Sequence, residues 1–359
     1  MRSVRIRPGI ALDATLAGSV LTRDLRVGGE AWSKGRRLTR EDLLRLETDE
    51  VAARGAWAGT GRDPGSITLL LPERDDLHED EAARRLAEAV AGPGVVQHGP
   101  VESRVDLRAM HDGVLRVRVA RMERIDAIDG LAVFSALDGQ VVAAGALVGS
   151  VKTGPHLVDR RDLELAESLV EGRRDPVIDV RPFRPSRIGA LVRESLPEAG
   201  RRRFEAGLRT RVTALGSRLS HVAYVRDEPE EVEATLRTLA AGQARVDVLL
   251  TAGAGSTDPE DPVFQALATL GGHIVSHGVP AHPGSMLILA RLWKTTIIGL
   301  PTCGAYSKAT AVDLLLPWLL SGEPPTRTTV ARLAHGGILD RDQRFRFPDY
   351  ARALDEPTG

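Results

Sequence analysis

Residues 251–272 read TAGAGSTDPEDPVFQALATLGG, directly after the hydrophobic run RVDVLL that ends at Leu250. A Val/Leu run that stops at a Gly/Ala/Ser/Thr loop, with a helical apolar pattern close behind, predicts a strand, a loop and a helix N-terminus in succession. Such a turn gathers backbone N–H groups around an anion. Three acids, Asp258, Glu260 and Asp261, crowd the same loop. They stand where a phosphate wants positive charge, so a bridging metal or a hydrogen-bonded polar ring is the expected neighbour. Asp258 and Asp261 are the acids placed to meet such a metal. Asp258 can also cap the next helix with Pro259 at its first position, which puts Asp261 at the third, as a second cap partner or a ligand-facing acid. Gly253 and Gly255 permit close ligand approach, and Thr251, Ser256 and Thr257 add hydroxyls. A purely structural strand-to-helix turn is the competing reading.

The surrounding pattern extends this motif. IGALV, HVAYV and VDVLL read as strands, and FEAGLRTRVTALG as a helix with Phe204, Leu208, Val212 and Leu215 on one stripe. Asp227 with Glu230 can cap the helix PEEVEATLRTLAAG. MLILARL and TTIIGL flank Trp293-Lys294 like an antiparallel hairpin, and ATAVDLLLPWLLSG is a closing helix, bent or broken at Pro317. This alternation predicts an α/β fold over 186–330, a three-layer αβα sandwich on a mostly parallel sheet. Ligands of such sheets sit beyond the carboxyl ends of the strands. Two further loops fall there. GVPAHPGSM, 278–286, offers Pro283, Gly284, Ser285 and the imidazole of His282; a surface turn is the alternative. GLPTCGAYSKAT, 299–310, offers Tyr306, Ser307 and Lys308 for a phosphate or polar ring. Cys303 has no His/Asp order to make it a nucleophile. His273 and His277 share no metal-ligand spacing with an acid, so zinc is not expected.

Upstream, 1–100 reads as a small α+β module. Thr39 and Asp42 have capping-box spacing, SITLLLP is a buried-type strand, and a helix covers about 77–91. Residues 101–185 read as a β-rich module and linker. VLRVRVARM alternates with period two, which predicts one buried face, and RPFRPSR resists regular structure. Asp159 caps a helix near 160–170. The polar, Arg-rich stretch 331–359 is expected to be an extended C-terminal tail.

With 359 residues the chain exceeds one typical domain. Lys+Arg is 48 against Asp+Glu 49, which gives no long-range reason to bind nucleic acid or a membrane. The arginines Arg181, Arg184, Arg187 and 201–203 read as a solvated face. One cysteine excludes an intrachain disulfide and a thiolate-rich metal site. There is no signal-peptide pattern and no run of twenty apolar residues, so a cytoplasmic protein is expected. A homo-oligomer, a dimer first, is the default assembly.

The three loops, in this order, resemble the molybdopterin-binding domain of molybdenum-cofactor assembly proteins. The family loop runs Thr-Thr-Gly-Gly-Thr-Gly and ends in an acid before a helix; TAGAGSTDPED keeps Thr251, Gly253 and Asp261. Pro283 and Gly284 match the family's Pro-Gly-Lys-Pro, and Gly299, Leu300 and Pro301 match its Gly-Leu-Pro-Gly-Asn-Pro. DAIDGLAVFS is similar, more loosely, to an Asp-Gly motif of the insertase subgroup. Departures are Ala252, Ala254, Ser285 in place of the lysine, and Thr302-Cys303-Gly304. The resemblance implies binding of molybdopterin or the molybdenum cofactor, in biosynthesis, maturation or delivery. Two transferase activities follow from it, adenylyl transfer to molybdopterin with ATP and Mg²⁺, or molybdate insertion; carried over by position, Asp261 is the implied catalytic acid and Asp258 an added or shifted acid on the metal side. A non-catalytic carrier or sensor is the alternative, as is a scaffold with no ligand. The implied partners are a molybdoenzyme or another cofactor-assembly protein.

Overall fold

The computed structural model describes residues 1–7, 9–48, 66–170, 175–193, 195–253, 258–300 and 309–354. The fold is mixed α/β and divides into two compact units. The first takes residues 1–110, 117–136 and 145–179; the second takes 111–116, 137–144 and 180–359.

In the first unit, Arg2–Ile6 and Val20–Leu21 flank Ile67–Leu71 in a small antiparallel sheet. Trp32, Leu38, Leu43 and Leu46 fill the core beside it. The helix Arg40–Thr48 starts on the capping box read from sequence: Asp42 N–H donates to Thr39 Oγ1 at 3.1 Å and Thr39 N–H to Asp42 Oδ2 at 2.9 Å. A second sheet runs Leu131–Ser135, Leu147–Thr153, Arg104–Ala109, Val95–Val101 with every pair antiparallel. The helix Glu79–Val90 buries Ala82, Ala83, Leu86, Ala87 and Val90. Asp159 caps the helix Arg160–Ser168 as expected. In DAIDGLAVFS, Asp126 Oδ1 accepts the Val133 N–H at 2.6 Å, and burial pushes its carboxyl up. Gly130 has φ 79°. These residues turn a helix into a strand.

The second unit holds one six-stranded sheet of β1 (Arg187–Val192), β2 (Arg218–Tyr224), β3 (Val248–Ala252), β4 (His273–His277), β5 (Ile288–Leu292) and β6 (Thr295–Leu300). The spatial order is β2-β1-β3-β6-β5-β4. The first three contacts are parallel, and β6/β5 and β5/β4 are antiparallel. Trp293, at the β5–β6 turn, takes φ 52°. The helices are α1 (Glu198–Ala214), α2 (Pro229–Ala240), α3 (Pro262–Thr269) and α4 (Ala311–Leu320), the last continuous through Pro317. Alternate strand residues enter different cores. Ile188, Ala190, Val192, Leu250, Ala252, Ile298 and Leu300 cluster with Phe204, Leu208 and Val212 of α1 and Leu315 of α4. Leu191, Leu249 and Ile297 cluster with Val232 and Leu236 of α2 and Val263 and Leu267 of α3. Strands buried on both faces read as near-continuous apolar runs, as Val248–Leu250 and Ile297–Leu300 do.

Four sequence expectations change. VLRVRVARM has no solvated face: Gly113–Val117 is buried at every position, and the chain becomes helical over Val119–Asp126. Arg116 is tolerated inside because it lies 3.2 Å from Asp138 and 3.3 Å from Glu323. Arg181 also leaves the proposed solvated face: it lies in the strand Ile178–Pro182 and pairs with Glu323. Asp227 does not cap α2; its N-cap is Glu228, without a side-chain bond, because Asp227 turns to Arg193. Residues 331–354 fold back rather than extending, and Leu333, Leu339, Phe347 and Ala351 are buried in the α1/α4 core. Among the described residues no helix is long and apolar enough to cross a membrane.

Candidate functional site

Register brings the strand ends level. Leu191 pairs with Thr251 and Thr251 with Gly299, and Val192, Ala252 and Leu300 follow one step on. β5 runs antiparallel to β6 with Ile288 opposite Gly299, so its entering segment lies at that same end. The chain after 192, 252 and 300 and the chain before 288 therefore leave the sheet at one edge.

At this edge Thr251 is fully buried, and its Oγ1 has no hydrogen-bond partner among the described residues. A Cβ built on Gly299 would stand 3.5 Å from that oxygen, an ordinary contact, and 3.3 Å from Ile288 Cβ, a tight one. Gly253, with φ 88°, turns the chain out of β3 in the left-handed region that a side chain resists.

Asp261, not Asp258, caps the following helix. α3 begins at Pro262, three residues later than the Pro259 start expected from sequence. Asp261 Oδ1 accepts the Val263 N–H at 2.8 Å, and Oδ2 lies 2.6 Å from Arg193 Nη2. Only 4% of Asp261 is exposed. Asp258 is exposed, and its Oδ1 accepts the Glu260 N–H at 2.9 Å in a local turn.

Arg193, the first residue after β1, was not legible as a site residue. Its side chain is 2% exposed. Besides Asp261 it donates to the Gly253 carbonyl through Nη2 and to Asp227 through Nη1. One guanidinium thus joins the ends of β1 and β3, the segment after β2 and the cap of α3. The only sequence signal was an arginine ending an apolar strand.

The loop with Pro283, Gly284 and Ser285 rests against the start of α4. Ala311 N–H donates to the Pro283 carbonyl at 3.0 Å, and Ser285 Oγ lies 3.3 Å from His282 Nδ1. Gly284 has φ 109°, and a Cβ there would stand 2.8 Å from Ala311 N. Gly255, Ser256, Thr257, Pro301, Cys303, Tyr306, Ser307 and Lys308 lie outside the described residues.

No three His, Cys, Asp or Glu side chains among the described residues converge to hold a metal ion. With both oxygens of Asp261 engaged by protein donors and Asp258 held apart at the surface, the described acids do not fit a divalent-ion cage.

A family model described as a probable molybdopterin binding domain matches residues 194–321. Among solved structures, the chain is similar to a molybdopterin biosynthesis MoeA protein from Pyrococcus horikosii at 14% identity, covering 71% of this chain and 80% of that one, with a TM-score of 0.27. It is similar to a molybdenum cofactor biosynthesis protein B at 12% identity, covering 35% of this chain and 86% of that one, also with a TM-score of 0.27. No curated protein matches the chain. The likeness to the molybdopterin-binding superfamily is partial, and it falls on the second unit.

Proposed function

We propose that this protein binds molybdopterin, or the molybdenum cofactor built on it, at the carboxyl edge of the second unit's sheet. On this reading 186–330 is the binding domain, a three-layer αβα sandwich. The observation that supports it is a coincidence of place: the matched stretch, 194–321, contains three of the four points at which the chain enters or leaves the sheet at the end where Thr251 lies, and the Thr251 hydroxyl has no hydrogen-bond partner among the described residues. A pterin ring is rich in hydrogen-bonding groups and would satisfy that oxygen, since a buried unsatisfied hydroxyl costs about 1–3 kcal/mol. Thr251, Gly253, Pro283, Gly284, Ser285 and Gly299 would line the site, with residues 255–257, 301, 307 and 308 on the intervening loops.

The chemistry favoured is holding and delivery of the cofactor. Magnesium-dependent adenylyl transfer would call on Asp258 and Asp261 as ion ligands, and the Arg193–Asp261 pair argues against that use of Asp261. The bound cofactor would supply a metal-binding dithiolene; the protein's part is to orient the ring and its phosphate. Production in a host that makes the cofactor, followed by mass spectrometry of the extracted ligand, tests the reading. A pterin recovered in near-equal amount with protein supports it. Its absence, beside a molybdoenzyme from the same host that does contain it, overturns it.

A further inference from the structure

Arg193 places a full charge in the interior at the end of β1. Its charge is buried, and one of its two acidic partners, Asp261, is buried too. Asp227, its other acidic partner, is 63% exposed, so solvent screens much of that attraction. Arg193 Nε is buried with no hydrogen-bond partner among the described residues. A divalent cation needs carboxylate oxygens with free lone pairs. To offer Asp261 to an ion, the site would have to strand the Arg193 charge in the protein interior, which is strongly unfavourable. The same guanidinium holds the Gly253 carbonyl, the acceptor that ends β3.

We propose that Arg193 is the built-in cation of this site, a positioning residue that neutralises Asp261 and holds the Gly253 carbonyl, so that a ligand bearing a phosphate ester is taken without a divalent metal. The proposal rests on the pterin-binding reading for the identity of the ligand. Its claim about metal stands on the Arg193–Asp261 geometry alone.

Two measurements on the full chain test it. In the first, Mn²⁺ is titrated into the protein and followed by electron paramagnetic resonance, with Asp261→Asn as control. The expected result is no bound Mn²⁺ that Asp261→Asn removes. A Mn²⁺ site abolished by Asp261→Asn would overturn the proposal whether or not a pterin binds.

In the second, an oxidised pterin monophosphate ester is titrated by its fluorescence, in EDTA and in millimolar MgCl₂. Equal affinity under both conditions is expected, and a tenfold gain with Mg²⁺, about 1.4 kcal/mol, would overturn the proposal. Arg193→Gln leaves the Asp261 charge uncompensated beneath the ligand and should weaken binding by about tenfold or more. The double variant Arg193→Gln/Asp261→Asn removes both charges and should regain most of that loss. A residue that merely shapes the loop would show no such rescue, and its absence counts against the proposal. If the wild-type protein binds no pterin phosphate while the Mn²⁺ result is as expected, the pterin reading fails and the metal-free assignment stands.

Discussion

Arg211 and Asp313 meet inside the second unit, Nε to Oδ1 at 2.9 Å, with the two side chains 4% and 0% exposed. Asp313 Oδ2 also accepts the Thr310 N–H at 3.0 Å, closing the capping box that starts α4. Burial, reinforced by the Asp313 charge, pushes the Tyr350 phenol well up. Asp313 thereby ties α1 to the helix that begins where the third loop ends. Asp313→Ala removes the carboxylate facing a buried guanidinium and opens the cap, and should cost about 3–5 kcal/mol. Urea unfolding of the two proteins measures this; a loss below about 1 kcal/mol, the worth of an ordinary cap, would mean the pair adds nothing.

Gly284 is packed backbone against backbone. With φ 109° and Ala311 N only 2.8 Å from any added Cβ, Gly284→Ala must strain the loop or push α4 away. A destabilisation of about 1–3 kcal/mol is expected, the usual cost of a side chain held in a sparsely populated backbone region. Thermal melting gives the number, and an unchanged midpoint would show that the loop yields freely.

Glu323 governs part of the acid response. Burial alone would raise its carboxyl, but Arg116, Arg181 and Arg332 outweigh burial and hold it below the ordinary glutamate value of about 4.5. A depressed folded-state pKa gives stability that is full above the unfolded value and is lost as pH falls through the folded one. The wild-type protein should therefore lose stability below about pH 4.5, while Glu323→Gln should be less stable at neutral pH and show a shallower acid slope. Denaturant midpoints across an acid series decide it; parallel slopes would remove Glu323 from the account.

Trp318 closes the second unit over a far-upstream turn. Its Nε1–H donates to the Gly139 carbonyl at 2.7 Å. Trp318→Phe keeps much of the apolar surface but leaves that carbonyl without this donor, at about 1–3 kcal/mol. A chain beginning at 186 lacks the turn altogether and should melt well below the second-unit transition of the full protein. Calorimetry on both chains is the check, and equal midpoints would make the upstream turn dispensable.

Much of the second unit was legible because its pattern is local. VDVLL, FEAGLRTRVTALG and the Trp293-Lys294 turn each declare their element within a few residues, and Thr39 with Asp42 marks a helix start by spacing alone. What was hidden depends on partners distant in sequence. Arg116 looks like a surface residue until Glu323, far along the chain, is brought to it. Asp227 reads as a cap because its neighbours are helical, yet Arg193 competes for it more strongly. Asp261 was singled out, but its double engagement was not, since nothing near it in sequence announces a buried guanidinium.

The Trp318 indole reaches a carbonyl 179 positions earlier in the chain. During synthesis, then, residues 111–116 and 137–144 leave the ribosome long before the helix that covers them exists. Until α4 arrives, Val114 and Val141, paired across two strands, lack the α4 side chains of the core they share. Contacts that close so late make folding slow and expose apolar surface to aggregation meanwhile. A truncated or stalled product should therefore be a client for chaperones and proteases, and the yield of this protein in a cell should depend on how promptly translation reaches its last quarter.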